Sequence, residues 1–317
     1  MTAPQRIVMV GPFGLQPRMT MRVRALPLGK ALAARGHTVT MLLPPWQNPD
    51  DAGHSWCEEG VRIENMMLPR GIPGWFQWQL TRSLVQRIQE LTPNVVHAFK
   101  PKAYAGLVHW RLFRRYPVVV DADDWEGPGG WNDQGDYPRW LQRVFAWQER
   151  WGLTRAAAVT VASRALQTLV WSMGGPSERV YYLPNGVRPQ QVLPFDNGGR
   201  PTVLLYTRFF EFELDRLWRI MQLVRARRPE VRFLIVGKGF AKEEERLLRM
   251  AQSHGWHVIA STSDIPDADL VYVGWGTEAT LPRYFGAADV AIYPFDDTLL
   301  NRTKCPVKLL DLLSAGI

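Results

Sequence analysis

Short apolar runs alternating with longer amphipathic stretches constrain this chain most. Residues 7–10, 37–43, 61–68, 94–98, 118–121 and 158–162 read as buried strands. Helices are expected between most of them, notably over 23–35, 101–115 and 137–153, with Gly36 as a stop signal for the first. Strands that are apolar throughout and alternate with helices imply a parallel sheet covered on both faces. The rhythm breaks over 182–200, where Pro184, Asn185, Gly186, Pro189, Pro194, Asn197, Gly198 and Gly199 crowd together. Turn formers at that density read as a linker. A second series follows, with strands at 202–206, 231–236, 270–273 and 290–293 and helices at 214–227, 242–254, 279–287 and 306–315. The expected fold class is therefore α/β, with one Rossmann-like domain over 1–188 and another over 200–317.

Composition narrows the function classes. Lys and Arg total 38 against 30 Asp and Glu, a net charge of +8, and 46% of residues are hydrophobic. That is enough apolar material for a core, so wholesale disorder is excluded. Two widely separated cysteines, Cys57 and Cys305, exclude a disulfide framework and a cysteine-rich zinc site. They fit a reduced, cytoplasmic setting. No apolar run approaches the ~18 residues of a membrane span, and the stretch at 7–10 is too short for a signal-peptide core. The positive balance admits nucleic acid, an anionic membrane surface or phosphorylated substrates. The basic residues are scattered and carry no nucleic-acid-binding signature, so nucleic acid is set aside.

Sheets of this kind bind ligands beyond the carboxyl ends of their strands. Gly11 and Gly14 follow the first strand, and Gly237 and Gly239 follow a strand of the second series. Glycine there lets backbone N–H groups approach a ligand, or merely permits a tight turn. Neither loop has the G-x-G-x-x-G spacing of a dinucleotide site. His97 ends a strand and is either a structural imidazole or a cleft residue. Asp121 and Asp123 have the spacing of a D-x-D metal clamp, but a loop or acceptor-side role suits this architecture better, with no metal. Trp140, Val144, Trp147 and Trp151 share helical spacing, flanked by Arg139, Arg143, Arg150 and Arg155. Trp75, Phe76 and Trp78 lie near Arg70 and Arg82. Such stripes read as core first, and as an amphipathic face on lipid second.

Several segments together resemble the glycosyltransferase family 4 (group 1) enzymes. They are Arg6-Ile-Val-Met-Val-Gly11, Gly36-His37-Thr-Val-Thr, Val95-Val96-His97, Leu183-Pro-Asn185-Gly186-Val187, Phe233-Leu-Ile-Val-Gly237-Lys-Gly239, Tyr272-Val-Gly274 and Leu310-Asp311-Leu-Leu-Ser-Ala-Gly316. The resemblance implies a GT-B fold, in which two Rossmann-like domains face a cleft. It implies transfer from a nucleotide-diphosphate-sugar, as co-substrate rather than cofactor, to a saccharide or lipid-linked acceptor of cell-surface polysaccharide synthesis. Retention at the anomeric carbon and no metal are implied too. On that analogy Arg208, Lys304 and Lys308 meet the diphosphate, Asp311 the ribose, and His97 the sugar or acceptor. A bidentate guanidinium and a helix N-terminus both suit phosphate. The sequence departs from the family at Glu213, where a lysine is usual, and at Thr303, where a glutamate is usual. It also stops at Ile317 where family members continue, so an incomplete second domain is expected. The alternatives are a non-catalytic sugar-nucleotide-binding or assembly subunit and a GT-B sugar-nucleotide epimerase. A peripheral contact with the inner membrane face is one reading of the tryptophans.

Overall fold

The computed structural model describes residues 3–135, 137–260 and 264–317. The chain divides into two compact units, Met1–Asn185 with Arg302–Cys305, and Gly186–Asn301 with Pro306–Ile317.

The first unit is built on an eight-stranded sheet. Its strands are β1 (Arg6–Val10), β2 (Thr38–Leu43), β3 (Ser55–Glu58), β4 (Val61–Asn65), β5 (Val95–Phe99), β6 (Val118–Ala122), β7 (Ala158–Val161) and β8 (Val180–Tyr182). They lie in the order β3-β4-β2-β1-β5-β6-β7-β8, and only β3 runs antiparallel to its neighbour. The central strands are buried on both faces, which is why they are apolar at successive positions and not only at alternate ones. Helices Trp75–Leu91, Ala103–Leu112, Arg139–Arg155 and Arg164–Ser172 cover one face through Leu84, Ile88, Val108, Leu153 and Val170. Helix Leu26–Ala33 packs with Met21 on the other face. The helix expected over 23–35 is in fact a π-helical turn, Met21–Ala25, continuing into that α-helix. Pro27, which has no N–H to donate, sits where the bonding pattern changes.

The second unit has a five-stranded parallel sheet. It comprises β9 (Thr202–Tyr206), β10 (Arg232–Val236), β11 (Val258–Ala260), β12 (Leu270–Gly274) and β13 (Val290–Ala291), in the order β11-β12-β10-β9-β13. Helices Leu214–Arg227 and Glu243–Ser253 cover one face, and Leu281–Gly286 and Val307–Ser314 the other. Three strands escape the sequence reading: β3, β8 and β11. All three are sheet edges with few buried side chains, so no apolar run announces them.

The tryptophan stripe departs from the expectation of core. Trp140 is 66% and Trp147 50% exposed, while Trp151 is half-buried. Trp75 and Trp78 are likewise exposed, and of that group only Phe76 packs against the core.

Candidate functional site

In the second unit the candidates gather at the carboxyl ends of β9, β10 and β12. Arg208 lies two residues beyond β9, with its Cζ 4.6 Å from the Phe240 ring and 5.6 Å from the Trp275 ring. Its Nε is buried and has no hydrogen-bond partner among the described residues. Lys308, in the first turn of the helix Val307–Ser314, places Nζ 3.3 Å from the Tyr206 ring centre and 5.5 Å from that of Trp275. Aromatic faces, rather than carboxylates, therefore orient both cations, and cation–π contact leaves their charge available to an anion.

The electrostatics bear this out. Burial pushes Lys308 down to about 7, helped by the nearby Arg208 guanidinium and opposed by Glu211 and Asp311. Burial also lowers Arg208. Asp311, one turn after Lys308, accepts a 2.8 Å hydrogen bond on Oδ1 from Gln190 Nε2. Burial raises its carboxyl above the usual range, with Gln190 and Lys308 opposing. Gly237 has φ +129°, and a Cβ there would collide with the Thr207 carbonyl oxygen. Its role in the structure is thus a close passage between two strand ends. Glu213 is exposed, and its N–H donates to Asp296 Oδ2 at 2.6 Å at the start of helix Leu214–Arg227.

The first unit treats its charges differently. Arg24 Nε and Nη2 donate to the two oxygens of Asp121 at 2.6 and 2.7 Å. The same guanidinium donates to Asn185 Oδ1 and the Leu183 carbonyl, tying the 183–185 segment to β6. Thr160 Oγ1 also donates to Asp121. Asp123 pairs with Lys100 at 2.9 Å, so both carboxylates of the D-x-D sequence are engaged by cations of the chain itself. Lys100 and Lys102 share Glu126 at 2.8 and 2.7 Å. Burial would raise Glu126, but those lysines hold it down at about 2. Asp124 is raised to about 6 by burial, against the pull of Lys100.

His97 lies inside β5 rather than at its end, its ring 4.3 Å from that of Phe99 and tilted by 33°, with Nε2 buried and without a hydrogen-bond partner among the described residues. Burial lowers it to about 4, so at neutral pH it is an uncharged imidazole. A Cβ on Gly11 would collide with Met21 Sδ, and one on Gly14 would meet Pro45 at ordinary van der Waals distance. The space beside Gly11 is filled by a side chain of the protein. Lys304 belongs to the first unit, 5.4 Å from the Trp131 ring, and Lys308 to the second.

Sequence reasoning brought Arg208, Lys308 and Asp311 together as the structure does. It missed the aromatic cradle of Tyr206, Phe240 and Trp275, and Gln190 behind Asp311. Trp275 did carry a signal: it follows the end of β12 directly, as Arg208 follows β9 at two residues' distance. Gln190 sits among turn formers and carried none.

Residues 20–186 match the family of glycosyl transferase 4-like domains. The chain belongs to this glycosyltransferase family. The matched stretch spans nearly the whole first unit, including the Arg24–Asp121 pair. No curated protein matches the chain. Solved glycosyltransferase structures share its fold at low identity. HepE from Anabaena, in complex with UDP and glucose, is 16% identical over 92% of this chain and 74% of its own, with a TM-score of 0.62. Sucrose-phosphate synthase from Thermosynechococcus elongatus is 18% identical over 92% and 75%, with a TM-score of 0.62. The catalytic domain of starch synthase IV from Arabidopsis thaliana, bound to ADP and acarbose, is 13% identical over 94% and 79%, with a TM-score of 0.63. The two Rossmann-like parallel-sheet units of this glycosyltransferase are thus of the GT-B class.

Proposed function

We propose that the chain moves a sugar from a nucleoside-diphosphate sugar to a saccharide or lipid-linked acceptor, with retention and without a metal ion. The observation that carries this reading is the pair of desolvated cations, Arg208 and Lys308, beside one indole with no ion pair to either among the described residues. As the bond from the anomeric carbon to the diphosphate oxygen breaks, negative charge grows on the leaving group. Two fixed cations in a site of low polarity stabilise that charge without reorganising. The N–H groups opening helix Val307–Ser314 add to the same field. Asp311, steadied by Gln190, is suited to accept the ribose hydroxyls. His97, neutral and with an unpartnered Nε2, is suited to a hydrogen bond with a sugar or acceptor hydroxyl. Neighbours solved with UDP and glucose, or with ADP and acarbose, support a donor of this class.

A lipid-linked acceptor of cell-surface polysaccharide would be met from the cytoplasmic side by a peripheral protein. No described helix is long and apolar enough to cross a membrane. The test is to incubate the protein with a panel of nucleotide sugars, with and without a chelator, and to measure released nucleoside diphosphate. Release unaffected by chelator is expected. Binding without release from any donor would replace the enzyme by a non-catalytic sugar-nucleotide binder. Release accompanied by a free sugar altered at its second carbon would replace the transferase by an epimerase.

A further inference from the structure

The helix Arg139–Arg155 turns an aromatic ridge to solvent. At ~100° per residue, Trp140, Val144, Trp147 and Trp151 fall within about 60° of arc. Trp140, Val144 and Trp147 are 66%, 41% and 50% exposed. The ridge is continuous at one end, where the Trp147 and Trp151 rings stack at 6.1 Å and Phe113 meets Trp151 edge-on at 5.2 Å. Phe113 is itself exposed, with Arg114 over its ring at 5.3 Å. Exposed aromatic surface on this scale is unusual unless something covers it.

The charges around the ridge say what covers it. Arg139, Arg143 and Arg150 run along one side and Arg155 lies at its end, all exposed. None forms an ion pair among the described residues. The one carboxylate of the helix, Glu149, is fully buried on the opposite face, where burial raises it to about 8. The exposed charges that this helix itself carries are therefore all cationic. A second copy of this chain fits poorly, because a two-fold interface would set this ridge against itself, arginine against arginine. Tryptophan prefers the headgroup level of a bilayer, and flanking arginines prefer anionic headgroups.

We infer that this ridge is a docking surface for an anionic lipid bilayer, which the helix meets lying in the interface plane. The surface belongs to the first unit alone and does not depend on the donor reaction. It goes beyond the proposed transfer by naming the partner and the face that meets it.

Co-sedimentation of the intact protein with vesicles tests the inference, run without nucleotide so that it stands apart from donor turnover. One set is phosphatidylcholine alone, and the other is a phosphatidylcholine–phosphatidylglycerol mixture. Binding to the mixture is expected, weakened by salt and absent from the neutral vesicles. Arg143→Gln and Arg150→Gln should each lower partitioning about fivefold. Trp140→Ser with Trp147→Ser should lower it roughly tenfold or more. Circular dichroism and thermal unfolding of the variants should be unchanged, because every substituted side chain is exposed. Failure to bind the mixture would overturn the inference, as would binding that all four substitutions leave intact. A doubled solution mass abolished by the tryptophan variants would overturn it in favour of contact between copies.

Discussion

The two units use buried cations in opposite ways. In the first, Arg24 is clamped to Asp121 through two hydrogen bonds, and Lys100 and Lys102 are matched by Asp123 and Glu126. In the second, Arg208 and Lys308 are half-buried, and rings rather than carboxylates surround them. A buried cation matched by a carboxylate is spent on holding the chain together. One left without such a partner sits at an unfavourable free energy that an incoming anion relieves. The comparison separates charge that maintains the fold from charge kept for a ligand, although both kinds are arginine and lysine.

The largest effect expected from this contrast is on folding, in the first unit. Arg24→Met leaves buried Asp121 with Thr160 as its one side-chain hydrogen-bond donor among the described residues, and should cost about 3–5 kcal/mol of stability. Urea unfolding measures it. Arg24→Met combined with Asp121→Leu should cost less than Arg24→Met alone, since no buried charge is then left unmatched. Small losses that simply add would mean that the pair is no more structural than Arg208, and the contrast would collapse.

The second unit should show the reverse pattern. Arg208→Ala removes a desolvated cation with an unpartnered Nε, so unfolding should change little. Affinity for a nucleoside diphosphate should fall by about 1.5–3 kcal/mol, the range for hydrogen bonds to charged groups. Asp311→Ala should likewise cost more in nucleotide affinity than in melting temperature. Calorimetry with the free nucleotide and thermal scans of the same variants give both numbers. Affinity unchanged in a folded Arg208→Ala protein would remove this arginine from the site.

What the sequence made legible follows from what each signal encodes. The central strands declare themselves because burial on both faces demands unbroken apolar runs, as in Ile7–Val10, where every side chain is buried. The edges β3, β8 and β11 carry no such demand. Arg208 could be found because a strand end has a fixed relation to the ligand side of a parallel sheet. Lys304 and Lys308 are four residues apart, yet the chain passes from one unit to the other between them, a division that spacing along the sequence does not announce. The aromatic cradle was hidden because Tyr206, Phe240 and Trp275 meet only in the folded unit. The tryptophan ridge shows a further limit. Spacing tells which side chains share a face of the helix, but not what lies against that face, and there the expectation of core gave way to exposure.

The finest test concerns a single proton. Lys308 titrates at about 7 in the folded chain, against 10.5 for an ordinary lysine. Between those values the unfolded chain binds a proton that the folded one does not, so Lys308 makes stability rise with pH across that window. A bound diphosphate would reverse the balance, because an anion beside Nζ favours the ammonium. Binding at about pH 8 should therefore draw up close to one proton, and the uptake should shrink at about pH 6, where the lysine is already charged. Affinity should accordingly weaken as pH rises above neutrality. Calorimetric titrations with nucleoside diphosphate in two buffers of different ionisation enthalpy read the uptake directly, and Lys308→Met should abolish it. Uptake that persists in Lys308→Met would place the titrating group elsewhere. Heats independent of buffer in the unsubstituted protein would show that Lys308 is not held neutral in wait for an anion, and the division between spent and available cations would lose its sharpest support.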